Sequence, residues 1–271
     1  MNPPMKVSDL VLRCRKIKPT IVYQTWRNWM KAIKPIQDVC VSEIDTEFVW
    51  DYVDSQTERL SEGTVKQRVG YLSGIWNRAI KRRLLTNNPW HRAGSDLKTA
   101  RSHHPFREWS FYEKYHNDPL FNLLWFHGFR VGEIAGIKQE DVVLSAEIPY
   151  FNLVHYESPF RRLKNDMSIR QVPIHPACLQ LVRNMRFPLS TDAWGPGKAW
   201  SGHFRRTLEL PPGEGAHSLR HNFESRMRAT NPNPAAEARL LGHTFPNMTA
   251  RYGVVLPQLL FEALCRIPDP R

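Results

Sequence analysis

Three short segments of this chain gather residue types suited to a negatively charged reacting group. The first is Phe126-His127-Gly128-Phe129-Arg130-Val131-Gly132-Glu133-Ile134 and the second is His217-Ser218-Leu219-Arg220-His221. The third is Leu240-Leu241-Gly242-His243, with Tyr252 nine residues further on. Arg130 and Glu133 stand three apart, as do His217 and Arg220, so the members of each pair share one face of a helix. Arginine grips phosphoryl oxygens with a planar fork of donors. Displacement at phosphorus gathers charge on those oxygens, and its catalysis is mostly positioning and charge stabilisation. Tyr252 is the nucleophile such a set would use. A tyrosine hydroxyl titrates near pH ~10, so it needs a base or a strongly cationic setting. His217 is the candidate base or orienting group, and His243 a candidate hydrogen-bond donor to the same phosphate. Glu133 is expected to brace an arginine or its own helix. Taken singly, each pair is an ordinary helix-surface ion pair, and His243 after Gly242 is a helix-end histidine meeting the dipole.

Metal chemistry competes for the second segment. His217 and His221 are four apart, the spacing of a zinc-binding pair, but Ser218 stands where a zinc protease carries its general-base glutamate. No third ligand is evident, and no phosphate-binding P-loop pattern occurs, so neither metal, ATP nor another cofactor is expected.

The order, spacing and residue types of the three segments together resemble the tyrosine recombinase (phage integrase) family, and the resemblance spans nearly the whole chain. The segment Gly128 to Ile134 is similar to that family's first arginine box, and His217-Ser218-Leu219-Arg220-His221 to its second. Leu240-Leu241-Gly242-His243 with Arg251-Tyr252 is similar to the segment that carries its third histidine and its nucleophile. Lys164, ahead of Arg170-Gln171-Val172-Pro173-Ile174, is similar to the family's lysine on a β-hairpin, with Arg161, Arg162 and Lys198 as basic alternatives. The resemblance implies a site-specific recombinase that works through a covalent 3′-phosphotyrosine intermediate, for integration or excision of a phage or mobile element. Arg130, Lys164, His217, Arg220, His243 and Tyr252 would be catalytic and Glu133 supporting, with Lys164 protonating the leaving 5′ oxygen. Its partners would be double-stranded DNA with specific recombination sites, three further copies of the chain in a homotetramer, and accessory DNA-bending proteins. Its place would be the bacterial cytoplasm and nucleoid, phage or prophage encoded. Only some 20 residues precede the first convincing helix, too few for the family's additional arm-binding domain, so the chain reads either as a simple two-domain recombinase or as one from which that domain is missing. A type IB topoisomerase-like activity and a non-catalytic DNA binder are the rival readings.

The elements that must position these residues fall on either side of a seam at about Asn87 to Arg107, where Pro, Gly and Ser gather and apolar periodicity lapses. Residues 1–100 are expected to form an all-α core-binding domain and residues 101–271 a mixed α+β catalytic domain. The fold class is then mainly α with a small antiparallel β-sheet. In the first part, helical spacing runs from Thr20 to Ile33, Asp45 can cap a helix through Phe48 to Val53, and Ser61 opens a helix with Val65, Val69, Leu72, Ile75, Trp76 and Ala79 on one face. Its polar side holds Lys66, Arg68, Arg78, Lys81, Arg82 and Arg83, the candidate DNA contacts. In the second part, Phe121–Phe126 and Arg130–Ile137 read as helix, Tyr150–His155 and Ile169–Ile174 as strands, and the chain after Ala216 as helix broken near Asn231–Pro234 and at Gly242. Leu256–Ile267 is apolar enough either to cover its own domain or to dock on a neighbour.

Charge points to the same partner. The 271 residues carry 38 Lys plus Arg against 26 Asp plus Glu, a net of +12, with +7 in residues 1–100 and +5 in the remainder. Both parts can face a polyanion, and a duplex clamped between two basic faces is the expected arrangement. Apolar runs fall short of a membrane span and the start lacks an apolar signal core, so no membrane partner is expected. Cys14, Cys40, Cys178 and Cys265 lie far apart, which fits a reducing cytosol.

Overall fold

Two separate apolar cores form, one in the unit Met1–Ala100 and one in the unit Arg101–Arg271. The computed structural model describes residues 4–17, 23–98, 110–156, 163, 166–189, 201–202, 204, 214–230, 233–243 and 255–268.

The first unit is built around its longest helix. Helices α1 (Val7–Ile17), α2 (Tyr23–Ile33) and α3 (Thr46–Thr57) pack on α4 (Glu62–Lys81). Val65, Val69, Leu72, Ile75, Trp76 and Ala79 form the buried stripe of α4, as their spacing predicts. Asp45 caps α3 by accepting from the Phe48 N–H at 2.9 Å. Trp90, fully buried, meets Trp76 and Tyr52 edge-on at centroid distances of 5.8 and 5.2 Å. Asn88 folds the exit of this unit back onto α4, donating to Ser73 Oγ and Asn77 Oδ1 and accepting from the Trp90 N–H. Helix α1 was not expected. Val7, Leu10, Val11 and Cys14 give it an i, i+3, i+4, i+7 buried edge, a short stripe blurred by the exposed Leu12 beside it.

In the second unit, α5 (Ser110–Tyr115) leads to α6 (Pro119–His127), every residue of which from Leu120 on is buried. The expected helix at Arg130–Ile137 is only one turn, α7 (Val131–Ile134). Strands β1 (Val142–Val143), β2 (Tyr150–Leu153) and β3 (Arg170–Pro173) form an antiparallel sheet in that order. β1, two residues long, left no pattern to read. Phe151 pairs with Val172 and Leu153 with Arg170, all four on the buried face. Helices α8 (Pro176–Asn184), α9 (Ala216–Thr230), α10 (Pro234–Leu241) and α11 (Pro257–Cys265) complete the described part. The fold is therefore mostly helical with a small antiparallel sheet. Leu260, Ala263, Leu264 and Ile267 enter the core of their own unit.

Two histidines tie this core together. His127 and His175 are buried, and His175 N–H donates to His127 Nε2 at 2.9 Å. His127 Nδ1 faces the Leu123 carbonyl at 3.0 Å and must donate to it. His175 Nε2 likewise donates to the Ile267 carbonyl at 3.1 Å, which fastens the chain just beyond α11. Burial, reinforced by His175, lowers the His127 pKa to about 3. Unfolding exposes this ring and restores a value near ~6.5, so between these limits the unfolded chain binds the extra proton. Folding goes unpenalised above about pH 6.5 and is increasingly opposed as pH falls toward 3. Between pH 7 and pH 5 this one group should cost the second unit about 2 kcal/mol. Urea denaturation of wild type and His127→Gln at both pH values checks it: the variant, less stable at pH 7, should lose correspondingly less on acidification.

Candidate active site

Arg130 is fixed from two sides. Its own N–H donates to Glu133 Oε2 at 2.9 Å, which caps α7, while its guanidinium Nη1 donates to Glu133 Oε1 at 2.6 Å and to Ser168 Oγ at 3.3 Å. About a quarter of its side chain remains exposed, while Glu133 is buried. Arg220 comes from α9, three residues after His217. Its guanidinium donates through Nη1 to the Gly128 carbonyl at 2.8 Å, and through Nη2 to the Leu241 carbonyl at 2.5 Å and His243 Nε2 at 2.9 Å. Burial first, then the neighbouring Arg130, lowers the Arg220 pKa to about 9, so it stays cationic at pH 7.

Two glycines make these contacts possible. Gly128 ends α6 at φ +62° and Gly242 ends α10 at φ +63°, the left-handed region that favours glycine. After Gly242, the His243 N–H returns to the Ala238 carbonyl at 2.9 Å and the Gly242 N–H to the Arg239 carbonyl at 3.2 Å. This double closure delivers the His243 ring to Arg220. Burial, then the Arg220 charge, holds His243 below the usual histidine range, so it is neutral at pH 7. Since a guanidinium only donates, His243 Nε2 accepts, and the ring proton sits on Nδ1. The ring's remaining N–H donor is therefore Nδ1–H.

The sequence reading missed Arg170. Its side chain is fully buried at the start of β3, and its guanidinium donates to both oxygens of Glu133, at 3.0 and 3.4 Å. Burial would push the Glu133 carboxyl up, but Arg170 and Arg130 outweigh it and hold it below the usual range. The signal was period two: Arg170 is in phase with Val172 and Ile174, and so points inward.

His217 lies on the exposed side of α9, its ring edge-on to His221 at 5.0 Å. Lys164, Tyr252, Arg251, Arg161, Arg162 and Lys198 lie outside the described residues. No group of three His, Cys, Asp or Glu among the described residues is arranged to hold a metal ion. Nor is any described helix long and apolar enough to cross a membrane. In the first unit the six basic residues of the α4 region divide. Lys66 donates to the Leu97 carbonyl at 2.8 Å, Arg68 to Gln56 Oε1 at 2.9 Å, and Arg78 lies over the Trp29 ring at 5.1 Å. Lys81, Arg82 and Arg83 are exposed at the C-terminal end of the helix.

Gly128 gives the sharpest local test. A Cβ there would sit 2.2 Å from Phe223 Cδ1, in addition to the unfavourable φ. Gly128→Ala should destabilise the second unit by about 2–4 kcal/mol in urea denaturation. Gly132→Ala, where a Cβ meets nothing within 4 Å, should change stability by less than about 1 kcal/mol.

No family model matches the chain. It is 31% identical over 147 residues to the integrase of Escherichia phage P2, a match covering 52% of this chain and 38% of that protein. It is 27% identical over 152 residues to the tyrosine recombinase XerC of Rhodospirillum centenum, covering 49% and 40%. The chain thus matches about two fifths of the length of these curated relatives. Among solved structures, the Tn1549 transposon integrase in complex with transposon right end DNA superposes with a TM-score of 0.71 at 16% identity, covering 94% of this chain and 97% of that one. A lambda integrase dimer bound to a core site gives 0.67 at 18% identity, covering 92% and 95%. A lambda integrase tetramer bound to a Holliday junction gives 0.66 at 18%, covering 90% and 79%. Over about half of its length the chain is thus similar to phage integrases and a tyrosine recombinase, and its fold is similar to that of the Tn1549 and lambda integrases.

Proposed function

We propose that the chain is a site-specific DNA recombinase, independent of metal and ATP, that breaks and rejoins strands through a 3′-phosphotyrosine linkage. The observation that carries this reading is the pair Arg130 and Arg220, Arg130 preset by Glu133 at the start of α7 and Arg220 by the carbonyls at the ends of α6 and α10. In the reaction the Tyr252 oxygen bonds to phosphorus as the bond to the 5′ oxygen breaks. His217 serves as base or orienting group for the tyrosine proton, and Lys164 gives a proton to the departing 5′ oxygen. Arg130 and Arg220 bind the non-bridging oxygens as their charge grows, and Glu133 holds Arg130 in place. The phosphotyrosine conserves the bond energy, so a 5′-hydroxyl of another strand reverses the step and completes an exchange. The basic residues of the first unit, Lys81, Arg82 and Arg83 foremost by their exposure, hold the duplex backbone.

The partners follow from the same reading: duplex DNA carrying recombination sites, a homotetramer that joins two of them, and accessory DNA-bending proteins. The work is done on DNA in the bacterial cytoplasm, for a phage or other mobile element, as the phage P2 and phage HP1 integrases among its relatives support. A tetramer assembled from this conformation uses surfaces other than the Leu260–Ile267 face, which is buried in its own unit.

Nicked DNA carrying candidate attachment sites, resolved on a denaturing gel, tests the chemistry. Wild type should give a slow-migrating covalent adduct and Tyr252→Phe none, with near-equal DNA affinity. An adduct in the variant would move the nucleophile elsewhere; no adduct with either protein, on DNA that both bind, would favour a non-catalytic binder. Arg220→Lys should lose at least ~100-fold in adduct rate, since an ammonium cannot span the Gly128 carbonyl, the Leu241 carbonyl and a phosphate together. Raising salt from about 50 to 200 mM should weaken DNA binding steeply, and a flat response would contradict contact with the phosphate backbone.

A further inference from the structure

We propose that Arg170 is a positioning residue, which sets the orientation of Arg130 through Glu133 and holds the Gly242–His243 turn in register with it. The proposal rests on the phosphoryl-transfer reading above.

Its side chain has no exposed surface, so Arg170 does not touch the DNA. Stability alone does not account for it, because a buried ion pair often contributes no more than an apolar replacement of the same volume. What distinguishes this cation is where its donors go. Nε donates to the Leu240 carbonyl at 2.9 Å and Nη1 to the Ser168 carbonyl at 2.9 Å, two backbone groups on different segments. Nη2 and the second Nη1 donor then take the two oxygens of Glu133, at 3.0 and 3.4 Å. The backbone thus fixes the guanidinium, the guanidinium fixes the plane of the carboxylate, and the carboxylate faces Arg130 with one oxygen on its side chain and one on its N–H. Ser168 closes the circuit, with its hydroxyl oxygen accepting from Arg130 and its carbonyl from Arg170.

The same group shapes the other half of the site. A Cβ on Gly242 would lie 2.8 Å from Arg170 Nη1 and 3.2 Å from the Met167 carbonyl. The glycine ahead of His243 is therefore required twice, by its φ and by the guanidinium packed against it. With the Leu240 carbonyl bonded to Nε and Gly242 packed against Nη1, the turn that presents His243 is seated on Arg170. One residue remote from the phosphate links an arginine and a histidine that bind it, and a displacement of about 1 Å in such a link costs on the order of 100-fold in rate.

The test uses the full chain with Arg170→Lys and Arg170→Met. Four readouts are compared: thermal melting, DNA affinity, the single-turnover rate of adduct formation at saturating DNA, and the nitrogen-proton resonances of the Arg130 guanidinium. The Met variant should bind DNA within about threefold of wild type and form adduct about 100-fold more slowly. The Lys variant, which keeps the charge on Glu133 but not the fork, should fall between the two. The Arg130 resonance should exchange slowly in wild type and become averaged in both variants. Wild-type rates in folded variants would overturn the proposal, as would rate losses that vanish when corrected for the folded fraction. If the Met variant does not fold, the Lys variant decides by the same criteria. If wild type binds DNA and forms no adduct, the phosphotyrosine reading fails by itself. Arg170 is then judged by the guanidinium spectrum alone, where an unchanged Arg130 resonance overturns its role and an averaged one supports it.

Discussion

Three guanidinium groups gather near one buried carboxylate in the second unit, two of them bonded to it and the third, Arg220, within reach of its charge. Arg130, Arg170 and Arg220 bring three positive charges, and Glu133 returns one negative charge. Two units of positive charge are thus left in a partly desolvated place, where an unbalanced cation is costly. The fold keeps them with dipoles instead of carboxylates. Arg220 lies across the C-terminal ends of α6 and α10, on the Gly128 and Leu241 carbonyls, and Arg170 takes the Leu240 carbonyl beside it. Helix C-termini carry partial negative charge, so these ends hold the cations without neutralising them. Glu224, whose charge also reaches Arg220, is bonded to Arg228 instead, so among the described residues no second carboxylate takes the guanidinium donors directly. On the proposed phosphotyrosine reading, a phosphodiester brings one negative charge and its pentacovalent transition state a second, so the residual charge would match the transition state better than the ground state.

This constraint accounts for residues with no chemistry of their own. A helix end can present its carbonyls to a cation only if the chain turns away at once, and Gly128 and Gly242 provide that turn. Both are also close-packed, Gly128 against Phe223 and Gly242 against Arg170, so the turns are locked as well as permitted. Phe223 sits on the same helix as Arg220, three residues on, so α9 supplies both the arginine and the wedge under the carbonyl it grips.

The sequence showed the charged parts of this arrangement better than its supports. Arg130 with Glu133 and His217 with Arg220 were visible because helical spacing puts each pair on one face, and Gly242 marked the end of its helix. Helix α4 and the β2–β3 pair were legible for similar reasons, a long apolar stripe and two alternating runs. Arg170 was not singled out because an arginine in a strand reads as a solvent-facing residue. Only its phase with Val172 and Ile174 says otherwise, and its partners come from Glu133 and Leu240, far away in sequence. The buried pair His127 and His175 escaped for the same reason, as their contacts span 48 residues. Helix α1 was missed because its stripe is only four residues long and an exposed Leu12 stands beside it, and α7 was overextended because an apolar run past Ile134 continues as buried turn rather than helix. The polar face of α4 was legible as a cluster of charge, but not in its division of labour. Whether a lysine reaches outward or back to a carbonyl, as Lys66 does to Leu97, depends on a segment some 30 residues away.

The neutrality of His243 follows from the same charge excess. Its ring nitrogen accepts a proton donor from Arg220, an interaction open only to the uncharged imidazole. Protonation would set a fourth cation within hydrogen-bond distance of a third, and the arginines around the ring oppose it, as its lowered pKa reflects. The histidine thus serves as an uncharged spacer that orients Arg220 while adding nothing to the positive field. It differs in this from a lysine or a third arginine at the same point, which would raise the field but expel Arg220 from its place. If the site binds one charge and stabilises two, as proposed above, these tasks are separated: arginines supply the field, helix ends hold it, and a neutral ring sets its direction.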